Sequence, residues 1–101
     1  MSNEPIVVEV DSGISDLLPI FFEQRKADQA ALAVAIAAKD LIAVRRVAHG
    51  MAGAGTSYGF ARITQLGEAL VEAGREGNLD MVVRLTAEFD GYLSRVVVKY
   101  L

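Results

Sequence analysis

With 101 residues, 52% of them hydrophobic, the chain is suited to one compact domain with a single buried core. Its formal net charge of -3 argues against nucleic acid as a partner, because binding to a phosphate backbone needs a basic surface. The absence of cysteine excludes a disulfide framework and a thiolate metal site. No basic leader opens the chain, and its longest apolar run, Ala30 to Ala38, is too short to span a bilayer, so we expect a cytoplasmic protein outside the membrane.

The first segment is predicted to be an extended N-terminal arm over residues 1–14. Pro5 to Val10 read "PIVVEV", which has the composition of a β-strand, but an isolated strand has no partner to pair with. Pro19 suits the first turn of a helix and disfavours helical geometry at the residue before it, so the first helix is predicted to begin near Leu18. The charged residues "EQRK", from Glu23 to Lys26, are interpreted as a solvated face of that helix.

Two helical patterns follow the arm, separated by a short break. The first is predicted to run to about Lys39, and its apolar residues recur at three- and four-residue spacing: Phe21, Phe22, Leu32, Ala35 and Ile36. Asp40 is the predicted N-cap of a second helix, which runs from Leu41 to about Gly55.

Two further helices complete the predicted fold. The third is expected from about Phe60 to Glu76, with Gly67 allowing a close helix crossing. Asn78 is the predicted N-cap of a fourth helix that continues to the C-terminus, with these residues inward: Val82, Leu85, Phe89, Tyr92 and Val96. Because the connections are short, the predicted fold is all-α, an antiparallel up-and-down four-helix bundle over residues 15–101.

The second helix carries the one histidine of the chain, His49. At about 100° per residue, one narrow stripe is predicted to face the core: Leu41, Val44, Ala48, Met51 and Gly55. His49 falls outside that stripe, on an outer face with Ile42, Arg45, Arg46, Gly53 and Thr56. A glycine inside a helix costs about 1 kcal/mol relative to alanine. Gly53, four residues after the histidine, is therefore expected to give a partner room to approach the imidazole.

The stretch from Asp40 to Gly77 resembles a histidine-containing phosphotransfer (HPt) domain. That family has a histidine on the second bundle helix, glycine four and ten residues later, and regularly spaced apolar residues on the next helix. Here these positions read His49, Gly53, Gly59, Ile63, Leu66 and Leu70, and "GREGN" closes the third helix. The resemblance extends more weakly over Ser15 to Tyr100.

The resemblance implies a phosphorelay intermediate. His49 would accept a phosphoryl group from an aspartyl phosphate on a response-regulator receiver domain and pass it to another receiver, with a hybrid histidine kinase as a further partner. The receiver would supply Mg²⁺, so no cofactor and no autonomous enzymatic activity are expected of this chain, and a monomer suffices. Ile42, an exposed aliphatic residue near the histidine, is predicted to contact the receiver together with Arg45, Arg46 and Gly53.

Two residues depart from the family's pattern. The family usually has lysine three residues after the histidine, where this chain has Ala52, and often has glutamine or glutamate where this chain has Val71. Arg45 and Arg75 are candidate cations that could compensate. The predicted surroundings of the phosphoryl group are therefore the following residues: Arg45, Ala52, Gly53, Thr56, Val71 and Arg75.

Other functions remain open from the sequence. A degenerate HPt-fold adaptor or inhibitor would dock on receivers or kinases without carrying phosphate, and a structural bundle could self-associate through the C-terminal "VVVKYL". A metal site is not expected, because a single histidine without cysteine offers too few ligands. Hydrolytic chemistry is disfavoured because Thr56 and Ser57 have no evident orienting acid.

Overall fold

The structure is a computed structural model and describes residues 4–101. It contains four helices and two short strands, in the order β1 (Ile6–Val10), α1 (Leu18–Ala37), α2 (Leu41–Gly55), α3 (Ala61–Arg75), α4 (Leu79–Arg95) and β2 (Val96–Tyr100). Short 3-10 helices lead into α1 and out of α2. Among residues 4–101, no helix combines the length and hydropathy needed to cross a membrane.

The starts of α1, α2 and α4 follow from the residues predicted to set them. Pro19 lies in the first turn of α1, where its missing N–H removes no helical hydrogen bond. The Asp40 carboxylate accepts a hydrogen bond of 3.0 Å from the backbone N–H of Ala43, and the Asn78 side chain accepts one of 3.1 Å from Met81. Both N-cap predictions are therefore confirmed, because each side chain satisfies an otherwise unpaired N–H group at a helix start.

The two chain ends differ from the prediction. Part of the segment predicted to be an unpaired extended arm forms the strand β1, which pairs in parallel with β2 in a register from Ile6 opposite Val96 to Val10 opposite Tyr100. The fourth helix does not continue to the C-terminus, since α4 ends at Arg95. Three consecutive valines follow, and β-branched residues fit a strand better than a helix. The strand of the arm therefore has a partner; residues 1–3 of that arm lie outside the described residues, and its boundary at residue 14 stays a prediction.

One core lies between the helices, with α1 packed on α2 and α4, and α3 packed on α2 and α4. The largest of its fully buried side chains are these: Phe60, Phe89, Leu32, Met51 and Ile63. At one end the Phe21 and Phe60 rings stack with centroids 5.0 Å apart. The helical bundle is thus established, while the up-and-down order of all four helices stays a prediction.

Two charged residues of α1, Arg25 and Asp28, are buried as a pair inside the bundle. Arg25 is only 5% exposed and Asp28 only 7%, and the Arg25 Nε lies 2.7 Å from an Asp28 carboxylate oxygen. The guanidinium carbon lies 4.9 Å from the centroid of the Phe21 ring, one turn earlier. The interpretation of Glu23 to Lys26 as a solvated face is therefore wrong for Arg25. It shares the inward face of α1, where the carboxylate one turn later compensates its charge.

Candidate functional site

His49 lies in the middle of α2 with its side chain exposed. Val44, Ala48 and Met51 on the same helix are fully buried, and His49 is about 100° around the helix from Ala48. Within residues 4–101 the imidazole forms no hydrogen bond or ion pair. The ring therefore meets solvent from a helix that is held firmly by its opposite face.

Glycines bring α2 and α3 into close contact. A Cβ atom added to Gly67 would lie 2.6 Å from the backbone nitrogen of Ala52 and 2.7 Å from the carbonyl oxygen of Ala48. A Cβ atom added to Gly55 would lie 2.6 Å from the backbone nitrogen of Thr64. Later residues of α2 thus meet earlier residues of α3, so this helix pair runs antiparallel. The contact confirms the close crossing predicted at Gly67.

His49 lies at the edge of the groove between α2 and α3. Ala52 and Arg45 both contact α3. Viewed down the axis of α2, Ala52 lies about 40° and Arg45 about 60° from Ala48, and His49 lies about 100° from Ala48 in the same direction. The two positions are one turn on either side of the histidine. The residues that flank His49 along this groove are therefore Arg45 before it and Ala52 after it.

The two predicted positions on α3 hold one non-polar and one charged residue. Val71 is half-buried and packs against the core. Arg75 is exposed, and its guanidinium donates to the Glu72 carboxylate at 2.7 Å. Arg75 therefore has an acidic neighbour on its own helix already, which reduces its use as a cation beside His49.

Thr56 is held by a threonine that the sequence analysis did not identify. Its backbone N–H and its hydroxyl both donate to the Thr64 hydroxyl oxygen, at 2.8 and 3.0 Å, and Thr64 in turn donates to the Ala52 carbonyl at 3.0 Å. These bonds join the end of α2 to α3. The spacing of Thr64, three residues before Gly67 on the same side of α3, is the signal that could have revealed it.

The predicted docking residues form an open surface around the histidine. Ile42 is 64% exposed, and Arg46 is exposed. Gly53 is also exposed, and a Cβ atom added there would meet nothing within 4 Å. Neither Arg45 nor Arg46 forms an ion pair within the described part of the chain. This surface thus combines an aliphatic side chain, two unpaired cations and bare backbone.

The arrangement is suited to nucleophilic attack on a group held by another molecule. A neutral imidazole has one nitrogen with a free lone pair, and exposure gives a bulky donor access to it. No group of three or more potential metal ligands occurs among residues 4–101. The site therefore consists of one histidine, two nearby arginines and the surface around them.

Comparison with known proteins agrees with this geometry. The family model described as "Hpt domain" matches residues 16–98. No curated protein and no solved structure gives a match. The matched residues include all four helices, the histidine on α2 and the glycines that follow it. The chain belongs to the Hpt domain family.

Proposed function

We propose that the chain is a phosphoryl carrier in a two-component phosphorelay, with His49 as the acceptor. The observation that carries the proposal is an exposed imidazole in the motif register, on a helix whose other face is buried. A lone pair of the imidazole attacks the phosphorus of an aspartyl phosphate and forms a P–N bond. The P–O bond to the aspartate breaks, and the carboxylate leaves with its electron pair. A second receiver domain takes the phosphoryl group by the reverse reaction.

In this proposal the chain provides positioning and the receiver provides most of the catalysis. Phosphoryl transfer depends mainly on alignment and on neutralisation of charge. The Mg²⁺ ion belongs to the receiver domain, and this chain has no cofactor and no activity of its own. It acts in the cytoplasm as a monomer. Its partners are response-regulator receivers and a hybrid histidine kinase, which contact Ile42, Arg45, Arg46 and Gly53.

Transfer from receivers tests the proposal. A panel of receiver domains is phosphorylated with radiolabelled acetyl phosphate and mixed with the wild-type chain or with His49→Gln. We expect an acid-labile, base-stable label on the wild-type chain, as phosphohistidine gives, and none on the variant. A label that persists in His49→Gln contradicts the proposal.

A second candidate function is an adaptor that binds receivers or kinases without accepting phosphate. It is favoured by Ala52 and Val71, two non-polar residues where the family usually has polar ones. Binding of a receiver without any label on the chain supports this alternative. A structural role through "VVVKYL" has less support, since Val96–Tyr100 already pairs with β1. Size-exclusion chromatography tests that role, because a stable oligomer that covers His49 argues against a relay.

A further inference from the structure

The Arg45 side chain crosses from α2 onto Gly74 of α3. A Cβ atom added to Gly74 would lie 2.7 Å from Cγ and 3.5 Å from Cδ of Arg45. The glycine thus leaves the space that the aliphatic part of this arginine occupies. Any larger residue at this position would push the Arg45 side chain aside.

The end of α3 does not explain this glycine. The helix continues to Arg75, and Gly77, with φ +71°, supplies the left-handed residue just after it. Gly74 does not have a positive φ. The closest contact that an added Cβ atom would make at Gly74 is with the Arg45 side chain, so this contact is the reason that the structure offers for the glycine.

Arg45 is the cation best placed to serve the histidine. It lies four residues before His49, and residues at this spacing on a helix have Cβ atoms about 5–6 Å apart. The His49 and Arg45 side chains lean the same way along α2, so this spacing is kept along their length, and the long Arg45 side chain carries a charged group that Ala52 lacks. Arg75 is already paired with Glu72, whereas no ion pair engages Arg45 within residues 4–101.

We infer that Gly74 is a positioning residue that holds Arg45 beside the phosphoryl group on His49. Arg45 then supplies, from one turn before the histidine, the charge that a lysine at position 52 would supply from one turn after it. A guanidinium suits this task, because its planar donors can bind two phosphoryl oxygens at once. The inference rests on the proposed function of His49.

Three variants test the inference by transfer kinetics. The maximum rate of transfer from a phosphorylated receiver is measured for Gly74→Ala, Arg45→Gln and the double variant, together with the receiver concentration that gives half-maximal rate. We expect each single variant to lose about tenfold in maximum rate at saturating receiver, the size of one hydrogen bond to a charged group. The double variant should lose no more than either single one, because Gly74 acts through Arg45.

Controls separate this role from a structural one. Gly91→Ala changes a glycine of α4 where an added Cβ meets nothing within 4 Å, and it should transfer at the wild-type rate. Arg45→Lys should recover part of the rate that Arg45→Gln loses. Thermal melting of each variant identifies any loss of fold. Additive losses in the double variant, or a wild-type rate in Gly74→Ala, overturn the inference.

A spectroscopic readout needs no receiver domain. The chain is phosphorylated with phosphoramidate, a small phosphoryl donor, and the Arg45 Nε–H resonance is followed by NMR. We expect this resonance to shift on phosphorylation of the wild-type chain and to shift much less in Gly74→Ala. A phosphorylated chain with an unmoved Arg45 resonance overturns this inference alone, whereas a histidine that takes no phosphoryl group from any donor overturns the proposed function as well.

Discussion

At the scale of single residues, the site depends on the exposure of His49 and on the contact between Arg45 and Gly74. His49 is exposed because its position on α2 falls outside the buried stripe, which the spacing of the sequence already predicted. The contact of Arg45 with Gly74 could not be predicted, because it depends on the register between α2 and α3. A single sequence specifies the faces of each helix better than the alignment of two helices.

Gly53 offers a test of the approach of a partner. An added methyl group meets nothing within 4 Å in this chain, so Gly53→Ala should raise the free energy of unfolding by up to about 1 kcal/mol. If a receiver comes close to this backbone, the same methyl group should weaken receiver binding. Urea denaturation and calorimetric titration measure the two effects. Gly91→Ala, which should be stabilised in the same way on α4, is the control and should bind receivers with wild-type affinity. If Gly53→Ala also binds with wild-type affinity, Gly53 has no role in docking.

A substitution at Ala52 tests whether a missing positive charge beside His49 limits the rate of phosphoryl transfer. The residue is half-buried at the α2–α3 groove, and a lysine there can extend its ammonium group outward beside His49. We expect Ala52→Lys to raise the transfer rate by about tenfold if missing charge limits transfer, as one hydrogen bond to a charged group would. Ala52→Met, which is similar in length but uncharged, should leave the rate unchanged. Equal rates for the lysine variant and the wild-type chain would show that charge is not limiting.

At the scale of secondary structure elements, the close packing of α2 against α3 depends on glycines at their contacts. The starts of α2 and α4 were predictable because each is set by a local hydrogen bond to an N-cap side chain, Asp40 or Asn78. The buried Arg25 was not predictable from its charge, since its burial depends on Asp28 and on the packing of α1 against the other helices. The end of α4 was misjudged because Val96 also fits the apolar spacing of a helix.

Gly67 should be among the least replaceable of these glycines, together with Gly55. Its missing side chain faces backbone atoms of Ala48 and Ala52 at 2.6 to 2.7 Å, and backbone cannot yield as a flexible side chain can. We expect Gly67→Ala to lower the free energy of unfolding by about 1–3 kcal/mol, measured by urea denaturation. Gly50→Ala is the matched variant, because its added methyl group meets open space and should stabilise α2. A Gly67→Ala chain as stable as wild type would contradict the close packing of these two helices.

At the scale of the whole molecule, the two ends of the described chain lie side by side. β1 and β2 pair across the length of the sequence, and Ile6, Val8, Val96 and Val98 pack against the helical core. This long-range pairing is what the sequence analysis missed, because each strand looked unpartnered or helical on its own. The sheet therefore belongs to the same cooperative unit as the bundle.

The stability of this unit should depend on alkaline pH through Tyr92. Burial raises the pKa of Tyr92 above its ordinary value of 10.0, and the nearby Arg62 guanidinium opposes that shift. Above pH 10 the unfolded chain therefore releases this proton while the folded chain still holds it, so the free energy of unfolding falls as pH rises, by at most about 1.4 kcal/mol per pH unit. Below pH 10 the contribution is constant.

Urea denaturation between pH 8 and about 11 measures this dependence. Tyr92→Phe lacks the titrating group, so its free energy of unfolding should fall less steeply than that of the wild-type chain at alkaline pH. Equal slopes for the two chains would show that the Tyr92 phenol titrates alike in the folded and unfolded states.

The central claim is that the His49 imidazole is an open nucleophile on a folded chain. Its most direct test is phosphorylation of the chain alone with phosphoramidate, followed by phosphorus NMR under native conditions. Because the chain has one histidine, the account predicts that every phosphohistidine signal is absent in His49→Gln and that phosphorylation proceeds at a rate close to that of N-acetylhistidine. A histidine that reacts only after the chain is unfolded in urea would contradict the account.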